Sequence, residues 1–116
     1  RNGGTPMAKV TEEQVERTRD LIAAIPPGRV RTYGDIAADA GLSSPRLTAW
    51  VLRTDGGGLP WFRVITATGR PAASVRSRQL ELLAAEGVPI VDGRVDLRSA
   101  RLRPEEAGEP APDGLG

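Results

Sequence analysis

Gly41 and Pro45 stand close together between two stretches of helical character, and this break limits the chain more than any other feature. Tyr33 to Ala40 reads as a short helix that Gly41 stops, because glycine enters the left-handed backbone of a C-terminal cap without a Cβ clash. Ser43 or Ser44 can cap the helix that follows, with Pro45 pre-set for its first turn. That helix is expected to run to about Arg53, with Leu47, Trp50 and Val51 as its apolar positions. Two short helices across a tight glycine-containing turn make a helix-turn-helix pattern. Many small helical domains contain such a pair, so the pattern constrains fold more than function.

The flanks complete what a length of 116 residues implies, a single domain with a modest core. Thr11-Glu12-Glu13-Gln14 is a capping box. Val15, Leu21, Ile22 and Ile25 follow it at helical spacing, and Pro26-Pro27-Gly28 ends that helix. Arg29 to Tyr33 reads as short and extended. Asp55-Gly56-Gly57-Gly58 is a loop. Pro60 to Ala67 is expected to be extended through Val64 and Ile65, turning at Thr68-Gly69. Ser74 to Glu86 reads as an amphipathic helix with Leu80, Leu83 and Ala84 inward, ended by Gly87. Pro89 to Leu97 reads as a β-hairpin turning at Asp92-Gly93.

Composition narrows the chemistry. With no cysteine there is no disulfide, thiolate nucleophile or cysteine metal site. With no histidine either, the usual zinc, copper and iron sites lose their main ligands and the commonest general base is missing. No metal and no cofactor are expected, and any catalysis would rest on carboxylates, one lysine, one tyrosine or hydroxyls, a narrow inventory for an enzyme. No apolar run approaches the roughly 20 residues that span a bilayer, so no membrane partner and a cytoplasmic location are expected. A net charge of +1 hides an asymmetry. Glu105, Glu106, Glu109 and Asp113 follow Pro104 with no base among them. Without that tail and Arg1, the body holds 15 bases against 11 acids. A basic body with an acidic tail suits a weak polyanion binder; arginines spread evenly over the surface are the plainer alternative.

Pro60-Trp61-Phe62-Arg63-Val64 places two aromatics side by side in a chain with one phenylalanine, one tyrosine and two tryptophans. Neighbours on an extended segment point to opposite faces, so Trp61 and Phe62 can divide between core and pocket. The plainer reading is that both pack. Arg46 falls in the first turn of the second helix, the turn that reaches nucleic acid in helix-turn-helix proteins. Tyr33, at the start of the first, could donate its phenol to a phosphate or a base. Arg70, Arg76 and Arg78 lie on or just before the Ser74 helix, where a solvated face is at least as good a reading as a pocket mouth. Asp35, Asp39 and Glu86 show no spacing that pairs them for acid–base work, and surface ion pairs are the default.

Taken together, these residues resemble the C-terminal domain of O6-alkylguanine-DNA alkyltransferases, from about Ile25 to Gly87. Pro26 to Ala37 looks like the segment leading into that family's first DNA-binding helix. Ser44-Pro45-Arg46 opens what looks like its recognition helix. Pro60-Trp61-Phe62-Arg63-Val64 sits where the family carries Pro-Cys-His-Arg-Val, and Glu86-Gly87 matches its Glu-Gly. The alkyl-accepting cysteine is therefore Trp61 here, and the histidine that activates it through water is Phe62. Indole is not a nucleophile under these conditions and a phenyl ring relays no proton. In this the chain is similar to the alkyltransferase-like proteins, which bind O6-alkylguanine without repairing it and mark it for nucleotide excision repair.

The resemblance implies a mainly α fold with short β segments: a winged-helix-like DNA-binding domain containing a helix-turn-helix. Residues 9–103 would form this alkyltransferase-like domain, 1–8 a flexible N-terminal remnant and 104–116 a disordered acidic tail. It implies no enzyme activity, a monomer, and two partners: double-stranded DNA containing O6-alkylguanine, and nucleotide excision repair proteins. Tyr33, Ser44, Pro45, Arg46 and Arg53 would bind DNA, Arg46 filling the gap left by a flipped nucleotide and Tyr33 crowding the adjacent phosphate. Tyr33, Pro60, Trp61, Phe62, Val64, Arg70, Ser74 and Arg76 would form the lesion pocket, with backbone groups near Trp61 and Val64 reading the guanine edge. Whether Arg70, Ser74 or Arg76 closes it is open. Arg63 and Glu86 would be structural. The alternative is a small helix-turn-helix transcription regulator binding undamaged DNA, and a third reading is alkyl transfer to an unusual acceptor.

Overall fold

The computed structural model describes residues 10–103. The expectations for residues 1–8 and 104–116 lie outside the described residues. The Thr11 capping box forms in full, with the Thr11 hydroxyl accepting from Gln14 N–H and the Gln14 side chain accepting from Thr11 N–H, both at 3.0 Å. It opens α1 (Glu12–Ala23), which buries Ile22. Strand β1 (Arg31–Thr32) follows, and Thr32 is also the N-cap of α2 (Tyr33–Ala40). A second reciprocal cap operates there: Thr32 Oγ1 accepts from Asp35 N–H and the Asp35 carboxylate accepts from Thr32 N–H. Gly41 ends α2 at φ 77°, the left-handed cap its position predicts.

Helix α3 spans Pro45–Asp55, two residues longer than expected. Ser44 is its N-cap, but its hydroxyl makes no capping bond. Helix α3 is locked on α2 by Thr48, which is fully buried and donates its hydroxyl to the Tyr33 carbonyl at 3.0 Å. Leu47 and Val51 face the core as expected. Trp50 does not: it is half-buried.

The expected extended run from Pro60 is corrected by the structure. Trp61–Arg63 form a 3-10 turn, and only Val64–Ile65 is a strand, β2. The turn closes through Arg63 N–H to Pro60 O at 3.0 Å and Val64 N–H to Trp61 O. Distant side chains hold it: buried Gln79 donates to the carbonyls of Phe62 and Val64, both at 2.9 Å. Strand β2 pairs in parallel with β1, Arg31 opposite Val64 and Thr32 opposite Ile65, and the α2–α3 pair is the crossover between them. Both β1 residues are buried. Arg31 is 2% exposed and ties β1 to the end of α2 through Asp39, at 2.7 Å.

The late helix begins later than expected. A 3-10 turn covers Ala73–Val75, and α4 spans Arg76–Ala85. Ala84 is exposed where it was expected inward, and Gln79 is buried instead, because the carbonyls it serves lie inside the protein. The hairpin forms as expected from β3 (Ile90–Val91) and β4 (Arg94–Val95), with Asp92 and Gly93 at φ 54° and 78°. A short α5 (Leu97–Ala100) follows, which the sequence did not suggest. The chain then returns beside β1, where Leu102 N–H donates to Val30 O at 2.7 Å. No helix among the described residues is long and apolar enough to cross a membrane.

Candidate nucleic-acid interface

The first turns of α2 and α3 converge on an open pocket of about 340 Å³. It is lined by Thr32, Tyr33, Gly34, Pro45, Arg46, Ala49, Thr66 and Ala67. Its volume lies in the usual range for small organic groups, about 300–1,000 Å³. The β1–β2 register makes the pocket: pairing Thr32 with Ile65 delivers Thr66 and Ala67 beside Tyr33. Thr66 is fixed in place, since its hydroxyl accepts from Arg70 N–H and donates to Arg70 O.

Tyr33 is half-buried and packs on the cluster of Ile22, Ile25, Ile36 and Val64. That burial raises its phenol pKa, so the group remains a neutral hydrogen-bond donor at physiological pH. Arg46 and Pro45 are exposed at the rim, and Arg53 is exposed two turns further along α3. Three of the residues expected at DNA, Tyr33, Pro45 and Arg46, are thus brought together.

The residues expected at the lesion pocket are divided. Thr66 and Ala67 line the pocket beyond one end of β2, and the Trp61 turn precedes the other end. Trp61 is half-buried and meets Phe62 edge to face, ring centroids 5.9 Å apart at 89°. Phe62 packs on the cluster of Val30, Ile65 and Leu83, whereas Trp61 is not among the side chains on any core cluster. The Val64 side chain is fully enclosed, which leaves only its backbone to offer, and Gln79 already donates to its carbonyl. Arg70, Ser74 and Arg76 are exposed and do not line the 340 Å³ pocket. The Arg76 guanidinium lies against the hairpin turn: a Cβ on Gly93 would sit 2.6 Å from its Nη2.

Arg63 and Glu86 anchor the Trp61 turn from behind. Arg63 donates through Nε to Glu86 at 3.1 Å and through Nη1 to the Ile25 carbonyl at 2.9 Å. Glu86 also accepts from Gly28 N–H at 3.0 Å. The Arg63 hydrogen bonds, joined by that from Gly28, hold the Glu86 carboxyl below its ordinary pKa against the opposing effect of burial. Asp35 and Asp39 are also paired, with Arg101 and Arg31. Burial pushes Asp35 upward, but the bonds from Arg101 and Thr32 N–H outweigh it and lower its pKa. Asp35, Asp39 and Glu86 are thus each engaged by an arginine. Among the described residues no cluster of three or more metal-ligating side chains exists.

Thr66, Ala67 and Ala49 escaped the sequence reading because small residues in a loop or on a helix carry no chemical signature. Gln79 escaped it because a glutamine on an amphipathic helix ordinarily faces water.

The fold is that of a small helix-turn-helix domain, winged-helix-like, with the first turn of α3 at the rim of a cavity. Residues 13–88 match the family described as 6-O-methylguanine DNA methyltransferase, DNA binding domain, and the chain belongs to that family. A DNA base-flipping protein of Vibrio parahaemolyticus is 38% identical over 90 residues, 72% of this chain and 90% of that protein. Its namesake from Escherichia coli K12 is 39% identical over 94 residues, 74% of this chain and 71% of that protein. Among solved structures, S. pombe Atl1 bound to damaged DNA containing O6-carboxymethylguanine superposes with a TM-score of 0.72 and 27% identity. That match covers 81% of this chain and 98% of Atl1. The Mycobacterium tuberculosis O6-methylguanine methyltransferase matches at 0.56 and 28% identity, over 66% of this chain and 48% of that one.

Proposed function

We propose that this protein is a non-enzymatic sensor of O6-alkylguanine in duplex DNA. It flips the modified base, holds it, and flags the site for nucleotide excision repair. One observation carries the reading: in a domain of the methyltransferase family, Trp61 and Phe62 stand where the resemblance places the alkyl acceptor and its activator, and the chain has neither cysteine nor histidine.

Extruding a base costs a few kcal/mol, less for a damaged pair. Arg46, exposed at the pocket rim, fills the vacated stack, and Tyr33 presses on the neighbouring phosphate. Ser44, Pro45 and Arg53 contact the backbone. An O6-alkyl group removes a Watson–Crick donor and adds apolar surface, and an aromatic wall favours such a base. Trp61 supplies the stacking wall, worth about 1–3 kcal/mol per base. Pro60 sets its direction, Phe62 braces it, and the Trp61–Val64 backbone reads the guanine edge. Arg70, Ser74 and Arg76 are the candidates for closing over the lesion. Without an acceptor the complex ends only by dissociation, which suits a monomeric flag for repair proteins.

The test is a titration of paired duplexes, identical except for one O6-methylguanine, at matched salt. Tighter binding to the modified duplex is expected; equal affinity rejects the sensor. Intact mass after incubation with alkylated DNA is expected to be unchanged, and a gain of one alkyl group would reinstate an enzyme. A ternary complex with purified excision-repair damage-recognition proteins, formed on the modified duplex alone, is the expected mark of the flag.

A further inference from the structure

The recognition helix carries a large aromatic that neither the core nor the pocket uses. Turning about 100° per residue, α3 directs Leu47, Thr48 and Val51 inward and leaves Arg46, Ala49, Trp50 and Arg53 on its outer face. Trp50 is half-buried and is not among the side chains packed on any of the three hydrophobic clusters. Part of the Trp50 indole is still open to solvent beside the exposed Arg46 and Arg53, which leaves apolar surface on a cationic helix face. The same rotation orders that face. Pro45 and Ala49 lie to one side of Arg46 and line the pocket, while Trp50 lies to the other. Arg46 therefore stands between the pocket and the indole.

We propose that Trp50 is a second duplex contact, packing on sugars and base edges on the flank of Arg46 away from the pocket. This rests on the assignment of the α3 face to DNA in the proposed function. Arg46 lies four residues before Trp50 and Arg53 three after it, one helical turn to either side, so cations for the phosphate backbone bracket the ring. Apolar side chains pressed against base steps unstack them and bend the duplex. Bending at the neighbouring step lowers the cost of extruding the nucleotide opposite the pocket. The ring never meets the flipped base, so its contribution is indifferent to the O6 substituent. Trp50 sets affinity, and the pocket sets preference.

Two measurements test this on the full chain. Trp50→Ala and Trp50→Phe are titrated against the paired duplexes, with helix content checked by circular dichroism. Trp50→Ala is expected to weaken binding to both duplexes on the order of tenfold, with the ratio between them unchanged, and Trp50→Phe to recover most of the loss. Independently of any Trp50 variant, a Trp61→Phe background leaves Trp50 the sole tryptophan, and saturating duplex is expected to quench its emission. Wild-type affinity in Trp50→Ala, or unchanged Trp50 emission at saturation, overturns the proposal. A loss confined to the modified duplex overturns it too, because it would put Trp50 in the pocket. If the wild-type chain fails to prefer the modified duplex, the sensor reading falls; if it keeps that preference while Trp50 proves silent, only this inference does.

Discussion

At the scale of single residues, the Arg63–Glu86 pair shows how a distant contact shapes the site. Both side chains are largely enclosed, 15% and 16% exposed, and each also bonds to backbone from the α1–β1 connection. Replacing Glu86 with Gln leaves a shielded guanidinium without its counter-charge, so a loss of about 1–3 kcal/mol at pH 7 is expected from urea denaturation. The folded pKa of Glu86 is depressed. Its stabilisation is therefore present above the unfolded value, about 4.3, and is lost as pH falls through the folded value. The Glu86→Gln variant should accordingly lose less stability than the parent between pH 5 and pH 3. Arg46 works differently, being exposed and reaching outward. Arg46→Ala should keep wild-type stability within about 0.5 kcal/mol while losing most of the preference for the modified duplex. Retained preference would show that another side chain fills the stack. The sequence exposed Arg46 through its place after Ser44-Pro45, but nothing local said that Arg63 would reach both Ile25 and Glu86.

At the scale of elements, the hairpin and the loop after β2 depend on each other. Gly69 accepts from Val95 N–H at 2.8 Å, and a Cβ there would lie 2.5 Å from the Val95 carbonyl oxygen. Gly69 also sits at φ 81°. Gly69→Ala thus combines backbone strain with a clash against main chain, and should cost at least about 2 kcal/mol. Faster hydrogen exchange at the Val95 amide is the accompanying readout. Gly87→Ala is the control: φ is 85° but nothing lies within 4 Å, so only the backbone cost of about 1 kcal/mol remains. Equal costs for the two variants would mean that the loop does not rest on β4. Caps and turns made α1, α2, α3 and the hairpin legible, since each is signalled within a few residues. The 3-10 turn at Trp61 and the two-residue parallel strands were not, because they exist only where other elements meet them.

At the scale of the whole molecule, the described body meets DNA with a surplus of arginine, and the phosphate contribution should be common to modified and unmodified duplexes. Plots of log affinity against log salt are expected to be parallel for the two, each falling by about 0.9 per phosphate contacted. Lesion preference should therefore be independent of salt; a preference that vanishes at high salt would trace it to charge rather than to the pocket. The sequence by itself determined the caps of α1 and α2, the helix-turn-helix and the absence of any cysteine or histidine, because capping, glycine turns and residue chemistry act over a few positions. Only the tertiary structure decided that the Trp61 turn coils, that Phe62 packs inward while Trp61 and Trp50 do not, and that Thr66 and Ala67 join Tyr33 and Arg46. Those outcomes depend on contacts such as Gln79 to Phe62, 17 residues apart, and Arg63 to Ile25, 38 apart. Chain folding alone creates such contacts, and no short-range pattern encodes them.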